Sequence, residues 1–145
     1  MLTGKEKIIP VLAMTVLLIG IVATVYVNAL ENNTKGPDNF FTINGNKLSF
    51  ESLSETTQEI TIETDEGNKT GLSLEGIITE SGISCPSCYR YTFKASDPYQ
   101  QTVSWNEVKT GILTYSQEYN LRVYFPNIAH TFWVYDLIEI EVNEV

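Results

Sequence analysis

The chain has 145 residues, of which 43% are hydrophobic and 11% are aromatic, so it is about one domain long and its composition excludes a wholly disordered protein. Its formal net charge of −9 argues against a nucleic-acid-binding protein, because binding to phosphates requires clustered Lys and Arg. The acidity predicts a soluble, self-repelling surface rather than a dedicated cation site.

The first predicted element is a membrane-spanning helix. Residues 8–30 contain no charged side chain, and a helix needs about 20 apolar residues to cross a bilayer. Lys5 and Lys7 precede this segment, and basic residues favour the cytoplasmic side of a membrane. We therefore expect a single-pass protein of the cell membrane. Its predicted parts are a cytoplasmic N-terminus, an anchor, a linker and an extracytoplasmic domain, at residues 1–7, 8–30, 31–38 and 39–145.

A cleaved signal peptide is the alternative interpretation of the same segment. Val27 and Ala29 offer small residues at the spacing that precedes a cleavage site. The apolar run is longer than that of an ordinary signal peptide, which favours an uncleaved anchor. Both interpretations export the rest of the chain, where the sequons at Asn32 and Asn68 are candidate glycosylation sites.

The exported part begins with β-rich segments. Asn44–Gly45, between two apolar runs, is a strong hairpin signal. The segment "QEITIET" alternates between polar and apolar residues like a strand, and residues 65–68 predict the turn that ends it. The hydrophobic period then becomes that of a short amphipathic helix, which Ser73 can cap and Gly82 can terminate.

The only two cysteines, Cys85 and Cys88, form a CPSC motif after this helix. Paired thiols tend to oxidise outside the cytosol. A zinc site needs four ligands, and beyond these cysteines the chain offers only His130. A thioredoxin-like pair needs a helix after the motif, whereas "YRYTFKA" alternates like a strand. A structural disulfide that closes a tight turn is the favoured interpretation, and redox exchange is the alternative.

The remaining segments are short and mostly β-rich. "RYTFKASDPYQQTVSW" predicts two strands around a turn at Asp97–Pro98, and "NEVKTG" predicts one helical turn. "ILTYS", "NLRVYFP" and "HTFWVYDLIEIEV" predict further strands. Because no long helix separates these segments, we predict an α+β fold that is mainly β, with mostly antiparallel pairing and one or two short helices.

Few side chains suggest catalysis. His130 is predicted to be a loop histidine with one satisfied hydrogen bond rather than the base of a Ser-His-acid triad. The acidic residues within 63–66 lack the regular spacing of a calcium loop. Arg122 and Tyr124 share a strand face, where an arginine can hold an anion or form a surface ion pair. The aromatic residues predict core packing, with a few left for a binding face; they are Tyr89, Tyr91, Tyr99, Trp105, Tyr115, Tyr119, Trp133 and Tyr135.

The order of these segments resembles the sulfite oxidase-type molybdopterin-binding domain over residues 39–145. In that family a short helix opens with a Gly-x-x-Leu pattern, as in "GLSLEGIITESGI". A strand then leads to an Asp-Gly-Tyr-like turn, similar to Asp97-Pro98-Tyr99. The segments "LRVYFP" and "FWVYDLIEIEV" resemble the family's Arg-Leu-Val-x-Pro and terminal strands, and "FTINGN" resembles its entry strand. The resemblance implies a sulfite oxidase-like mixed-sheet domain.

The departures from this family bear on function. Its molybdenum-binding cysteine precedes the Gly-x-x-Leu helix, where this chain has "TIETDEGNKTG", and Cys85 and Cys88 follow the helix instead. The basic residues that hold the pterin phosphate are also unmatched. The resemblance therefore implies a trimmed scaffold for which no cofactor is expected, molybdopterin being the alternative. We expect a non-catalytic domain that binds a partner protein or a small ligand. The alternative is an oxidoreductase or electron-transfer component that uses a pterin or the Cys85–Cys88 pair.

Overall fold

The computed structural model describes residues 11–23 and 39–145. The chain divides into two compact units, Met1–Gly36 and Pro37–Val145. In the first unit, residues 11–23 form a helix, α1. Among the residues that the structure describes, no helix is long and apolar enough to cross a bilayer.

The predicted anchor at 8–30 continues on both sides of α1 into residues that lie outside the described ranges. The predicted cytoplasmic N-terminus, at 1–7, and the predicted linker, at 31–38, lie wholly outside them, as does the sequon at Asn32.

The second unit is α+β and mainly β, as the sequence predicts. Its strands are β1 (Phe40–Ile43), β2 (Asn46–Ser49), β3 (Glu59–Thr64), β4 (Gly67–Ser73), β5 (Tyr89–Ala95), β6 (Gln100–Val103), β7 (Ile112–Ser116), β8 (Asn120–Tyr124), β9 (Val134–Tyr135) and β10 (Leu137–Glu144). Its helices are α2 (Phe50–Thr56), α3 (Leu74–Glu80) and α4 (Trp105–Val108), with 3-10 turns at Pro86–Cys88 and His130–Phe132.

The strands form two five-stranded sheets. The first sheet has the order β2-β1-β10-β5-β6, and the second has the order β3-β4-β7-β8-β9. Pairing is mainly antiparallel, as predicted, and within the described part of the chain the exception is β1, which lies parallel to β10. The parallel pair joins the beginning of the unit to its end.

One hydrophobic core lies between the sheets. Phe93 on β5 meets Phe125, which follows β8, edge to face with ring centroids 5.4 Å apart. Trp133 is 1% exposed, and its indole N–H donates to the carbonyls of Phe125 at 3.0 Å and Ile128 at 3.1 Å. Because burying an unpaired indole N–H is costly, these two acceptors allow the largest side chain to lie inside.

Local signals in the sequence are placed where they were predicted. Asn44 and Gly45 form the β1–β2 turn with φ of 49° and 81°, which is the left-handed geometry that such a hairpin needs. Ser73 caps α3 by accepting a hydrogen bond from the Gly76 N–H at 3.3 Å. Gly82, with φ of 85°, lies just beyond the end of that helix.

Two elements differ from the prediction. The helix α2 has no counterpart in the sequence interpretation, because Leu53 is its only buried residue and it shows no hydrophobic period. A local cap stabilises it instead, since the Ser49 hydroxyl accepts from the Ser52 N–H at 3.0 Å. The last predicted strand begins as a 3-10 turn and is then divided into β9 and β10 at Asp136, whose φ of 57° breaks the extended backbone.

Candidate functional site

Cys85 and Cys88 are joined as a disulfide, with Cα atoms 5.4 Å apart. Pro86 begins a single 3-10 turn between them, and the Cys88 N–H donates to the Cys85 carbonyl at 2.9 Å. The Tyr91 hydroxyl donates to the Pro86 carbonyl at 2.7 Å. The strand β5 follows at once, so the motif precedes a strand rather than the long helix that activates a thioredoxin-like thiol.

His130 lies in the second 3-10 turn and contacts the β3–β4 turn. Its Nδ1 is 2.8 Å from Oδ2 of Asp65. The hydrogen bond to Asp65 raises the pKa of His130, and the same bond lowers the pKa of Asp65. Both side chains are exposed. The contact with Asp65 corresponds to the acid–His half of a triad, but among the described residues no Ser hydroxyl is hydrogen-bonded to His130, so the Ser–His half is not formed there.

No cluster of three or more His, Cys, Asp or Glu side chains suited to a metal occurs within residues 11–23 and 39–145. The acidic turn at 63–66 instead uses Asp65 to contact His130. On β10, Glu139 and Glu141 flank Lys94 at 3.4 and 2.6 Å. These carboxylates therefore form ordinary surface contacts, which contribute little to stability.

Asp136 has a different role from the other carboxylates near the end of the chain. The sequence suggests a residue on the solvated side of one long strand. In the structure it lies between β9 and β10, accepts a hydrogen bond from the Ser96 hydroxyl, and accepts another from the Asn120 amide at 3.0 Å. Asn120 begins β8 of the second sheet and Ser96 follows β5 of the first, so Asp136 links the two sheets.

Arg122 occupies the centre of an aromatic surface. It lies on β8, directly opposite Thr114 on β7 and Tyr135 on β9. Its guanidinium carbon is 3.6 Å from the ring centroid of Tyr119 and 4.5 Å from that of Tyr135. The two tyrosines are 46% and 42% exposed. We call Tyr119, Arg122 and Tyr135 the aromatic–arginine surface.

The charge of Arg122 is not neutralised within the described part of the chain. No described carboxylate lies within 4.0 Å of its guanidinium group, and its Nε is buried without a hydrogen-bond partner. The two ring faces provide the local attraction through cation–π contact. Because the stacked guanidinium group keeps its charge and its remaining N–H donors, it can bind a carboxylate or phosphate of another molecule.

The flanking tyrosines remain neutral near pH 7. A hydrogen bond with Glu118 raises the pKa of Tyr119, and burial raises that of Tyr135. The positive charge of Arg122 lowers the pKa of each tyrosine, but the net shift of both pKa values is upward. The surface therefore presents one cation between two uncharged phenols that offer ring area, and the hydroxyl of Tyr119 already contacts Glu118.

Further rings continue the same face of the second sheet. Tyr124 is two residues after Arg122 on β8, so both side chains point to one side. Its ring meets that of Trp133 edge to face at 4.9 Å, and the Lys69 ammonium lies 5.6 Å from its centroid. His130 contacts Trp133 edge to face at 6.0 Å. Tyr124 and Trp133 are buried, so beside the aromatic–arginine surface this face exposes the His130–Asp65 pair and not these two rings.

Sequence reasoning identified only part of this site. It placed Arg122 and Tyr124 on one face, because period-two alternation is visible in a strand. The sequence also predicts a few aromatics at a binding face without choosing among them, and in the structure Tyr119 and Tyr135 are exposed. By contrast, Tyr91 is fully buried. The only signal for Tyr119 is its position in the turn before β8.

The sequon at Asn68 lies on β4, where its side chain is exposed.

Comparison of the chain with protein-family models, with curated proteins and with solved structures finds no match. The segments that carry the sulfite oxidase-type resemblance lie on β1, α3, the β5–β6 turn, β8 and β10.

Proposed function

We propose that this chain is a membrane-anchored, extracytoplasmic, non-catalytic domain that binds a partner protein through the aromatic–arginine surface. The observation that carries the proposal is the geometry of Arg122, which is stacked between two exposed tyrosines with no carboxylate partner among the described residues. The partner would present a carboxylate to the guanidinium group and apolar atoms to the two rings.

Residue type and exposure support this assignment. Tyr, Trp and Arg are the residues that most often dominate the energetics of protein interfaces. They combine large contact area with hydrogen-bonding groups, and Arg binds a carboxylate through two parallel hydrogen bonds. At Arg122 the two rings already restrain the position of the guanidinium group. A partner would therefore lose little additional side-chain entropy on binding there.

The proposed location rests on the sequence before the domain. Residues 8–30 carry no charge, and Lys5 and Lys7 precede them, which favours an anchor with its N-terminus in the cytoplasm. The Cys85–Cys88 disulfide is consistent with an oxidising, extracytoplasmic compartment. A partner on the same side of the membrane would meet the domain at a raised local concentration.

For the scaffold we propose a trimmed sulfite oxidase-like fold that works without its cofactor. The motif order over 39–145 supports this, together with a mainly β unit of two sheets and short helices. The chain has no cysteine before α3, where that family binds molybdenum. Elemental analysis of protein purified from its native host tests the point, because stoichiometric molybdenum would overturn the binding-only proposal.

Photocrosslinking in native membranes tests the partner proposal. A photoreactive amino acid replaces Gln117, which is exposed in the turn beside Tyr119, and a control chain carries it at Lys109, which is exposed after α4. We expect an adduct of defined mass from position 117 that Arg122→Ala removes. Arg122→Lys should weaken the adduct, because lysine keeps the charge but not the planar stacking. An adduct that is indifferent to Arg122→Ala would overturn the proposal.

The alternative function is redox exchange by the Cys85–Cys88 pair, and the exposure of Cys88 favours it. Thiol–disulfide exchange requires access to one sulfur of the disulfide and a reduction potential high enough for the disulfide to be reduced. The reduction potential of the pair separates the two functions. A potential below about −300 mV marks an inert structural bond, whereas a much higher value with a reactive Cys85 thiol favours electron transfer.

A further inference from the structure

Half of β10 has an open edge. On one side β5 pairs with β10 from Leu137 to Glu144. On the other side β1 pairs only at Glu139 and Ile140, because the chain turns away at Asn44. Among the described residues, no strand lies against the rest of β10 on that side.

The backbone groups at this edge can be assigned by alternation. The Asn44 N–H donates to the carbonyl of Ile140 at 3.4 Å, so the Ile140 carbonyl points toward β1. Successive residues of a strand direct their N–H and C=O groups to opposite neighbours, so Val142 and Glu144 direct theirs to the same side as Ile140. Within the described chain, neither residue has a backbone partner on that side.

A groove of about 430 Å³ lies along this edge. The β1–β2 turn forms one wall and the loop after α3 forms the other. Six of the residues that line it are Asn44, Asn46, Ser81, Ser84, Val142 and Glu144. The others are Ile43, Gly82, Ile83 and Tyr89, so the lining is part polar and part apolar.

The disulfide positions the second wall. The lining loop runs directly into Cys85, and the Cys85–Cys88 bond closes the turn that returns the chain to β5. The hydrogen bond from the Tyr91 hydroxyl to Pro86 fixes this turn to the fully buried side chain of Tyr91. The groove therefore lies between the β1–β2 hairpin turn and a covalently restrained turn.

We propose that this groove binds a short, extended, basic segment of a partner protein, which adds a strand to β10. The open edge from 141 to 144 matches roughly three to four residues at about 3.3 Å each. Glu144 is the only charged residue that lines the groove, and it has no ion pair with another described residue. In a chain of net charge −9, these features favour Lys or Arg in the added strand.

This inference is independent of the aromatic–arginine surface, which would attract an acidic group instead. A second copy of the chain is a different occupant, because it would bring its own net negative charge. Strand addition also predicts a specific chemical requirement. The incoming segment must supply free backbone N–H groups, so methylation of those groups should abolish binding.

Titration of fluorescent pentapeptides into the full chain in detergent micelles tests the proposal by anisotropy. The probe is acetyl-Val-Lys-Val-Lys-Val-amide, and the controls are its Glu counterpart and a version N-methylated at every residue. We expect the Lys peptide to bind at least tenfold more tightly than either control. Equal binding of the Lys and Glu peptides, or full binding of the N-methylated peptide, would overturn the proposal.

Three variants localise the binding. Glu144→Gln should weaken binding of the Lys peptide about three- to tenfold, and Ser84→Trp should block the groove. Both residues are exposed, so the fold should persist and circular dichroism can verify it. Glu75→Gln, on the exposed part of α3, is the matched control and should have no effect. Binding unchanged by Glu144→Gln and Ser84→Trp would overturn the groove assignment.

Two further outcomes separate this inference from its alternatives. Arg122→Ala should leave binding of the Lys peptide unchanged, so the groove is tested even where the aromatic–arginine proposal fails. Sedimentation of the chain at increasing concentration should show no self-association through the groove. Self-association that Ser84→Trp abolishes would overturn the proposal in favour of a second copy as the occupant.

Discussion

Removal of the Cys85–Cys88 disulfide should lower the stability of the second unit only modestly. The two residues are three positions apart, so the bond closes a very small loop. In the chain-entropy description, closing a loop of about four residues stabilises the folded state by about 2 kcal/mol at 25 °C. The hydrogen bonds from the Cys88 N–H and the Tyr91 hydroxyl remain after Cys85→Ser/Cys88→Ser and hold part of the turn. The observed loss should therefore be at or below this value.

Urea unfolding monitored by tryptophan fluorescence measures this loss. Both tryptophans, Trp105 and Trp133, lie in the second unit, so their emission reports its unfolding. The wild-type chain with and without reductant provides the matched comparison for the double Ser variant. A loss above about 4 kcal/mol, or a variant that does not fold, would refute the reasoning that the bond only restrains a turn. A reduced wild type that differs from the variant would point to the serines themselves.

Three further predictions follow from single contacts and from topology. Trp133→Phe should destabilise the second unit by about 2–4 kcal/mol in the same unfolding assay. The carbonyls of Phe125 and Ile128 would lose their donor, and a small cavity would remain. Trp105→Phe is the control, because it removes neither of these hydrogen bonds. The His130–Asp65 pair should stabilise the fold most between about pH 4 and pH 6.5. The pKa of His130 is raised, so its contribution to stability is complete below the ordinary pKa of 6.5 and is lost as pH rises through the folded pKa. The pKa of Asp65 is lowered, so its contribution is complete above the ordinary pKa of 3.8 and is lost as pH falls through the folded pKa. Asp65→Asn should remove this pH dependence from the unfolding midpoint, and a persistent dependence would contradict the assignment. Protease added to intact cells should remove the domain after the predicted anchor, whereas a domain degraded only after lysis would contradict the proposed topology.

Signals confined to a few neighbouring residues were predictable from the sequence. Asn44–Gly45 specifies its own turn through left-handed φ values, and Ser73 caps α3 through a side chain only three residues from its donor. Asp97–Pro98 marks the turn between β5 and β6 for similar reasons. Each of these features depends on local geometry. Alternation of apolar and polar residues, which is also local, predicts most of the strands.

Features that depend on distant pairing were not predictable. The contact of Tyr119 and Tyr135 with Arg122 requires the register of β8 against β9, and alternation within one strand does not give that register. The open edge of β10 arises because β1 ends early, and only the full strand order reveals it. The helix α2 was missed because its cap, rather than a hydrophobic period, defines it.

The parallel pairing of β1 with β10 has a consequence for biogenesis. Thr42 lies beside Glu139, so the first strand of the unit cannot complete its ladder until almost the whole unit has been synthesised. Contacts between such distant parts of a chain slow folding and leave unpaired edges exposed in the meantime. If the chain emerges from a translocon N-terminal end first, β1 and β2 wait as an isolated hairpin. A chaperone on the side of the membrane that receives the domain would then need to protect β1 and β2 for longer than the later strands.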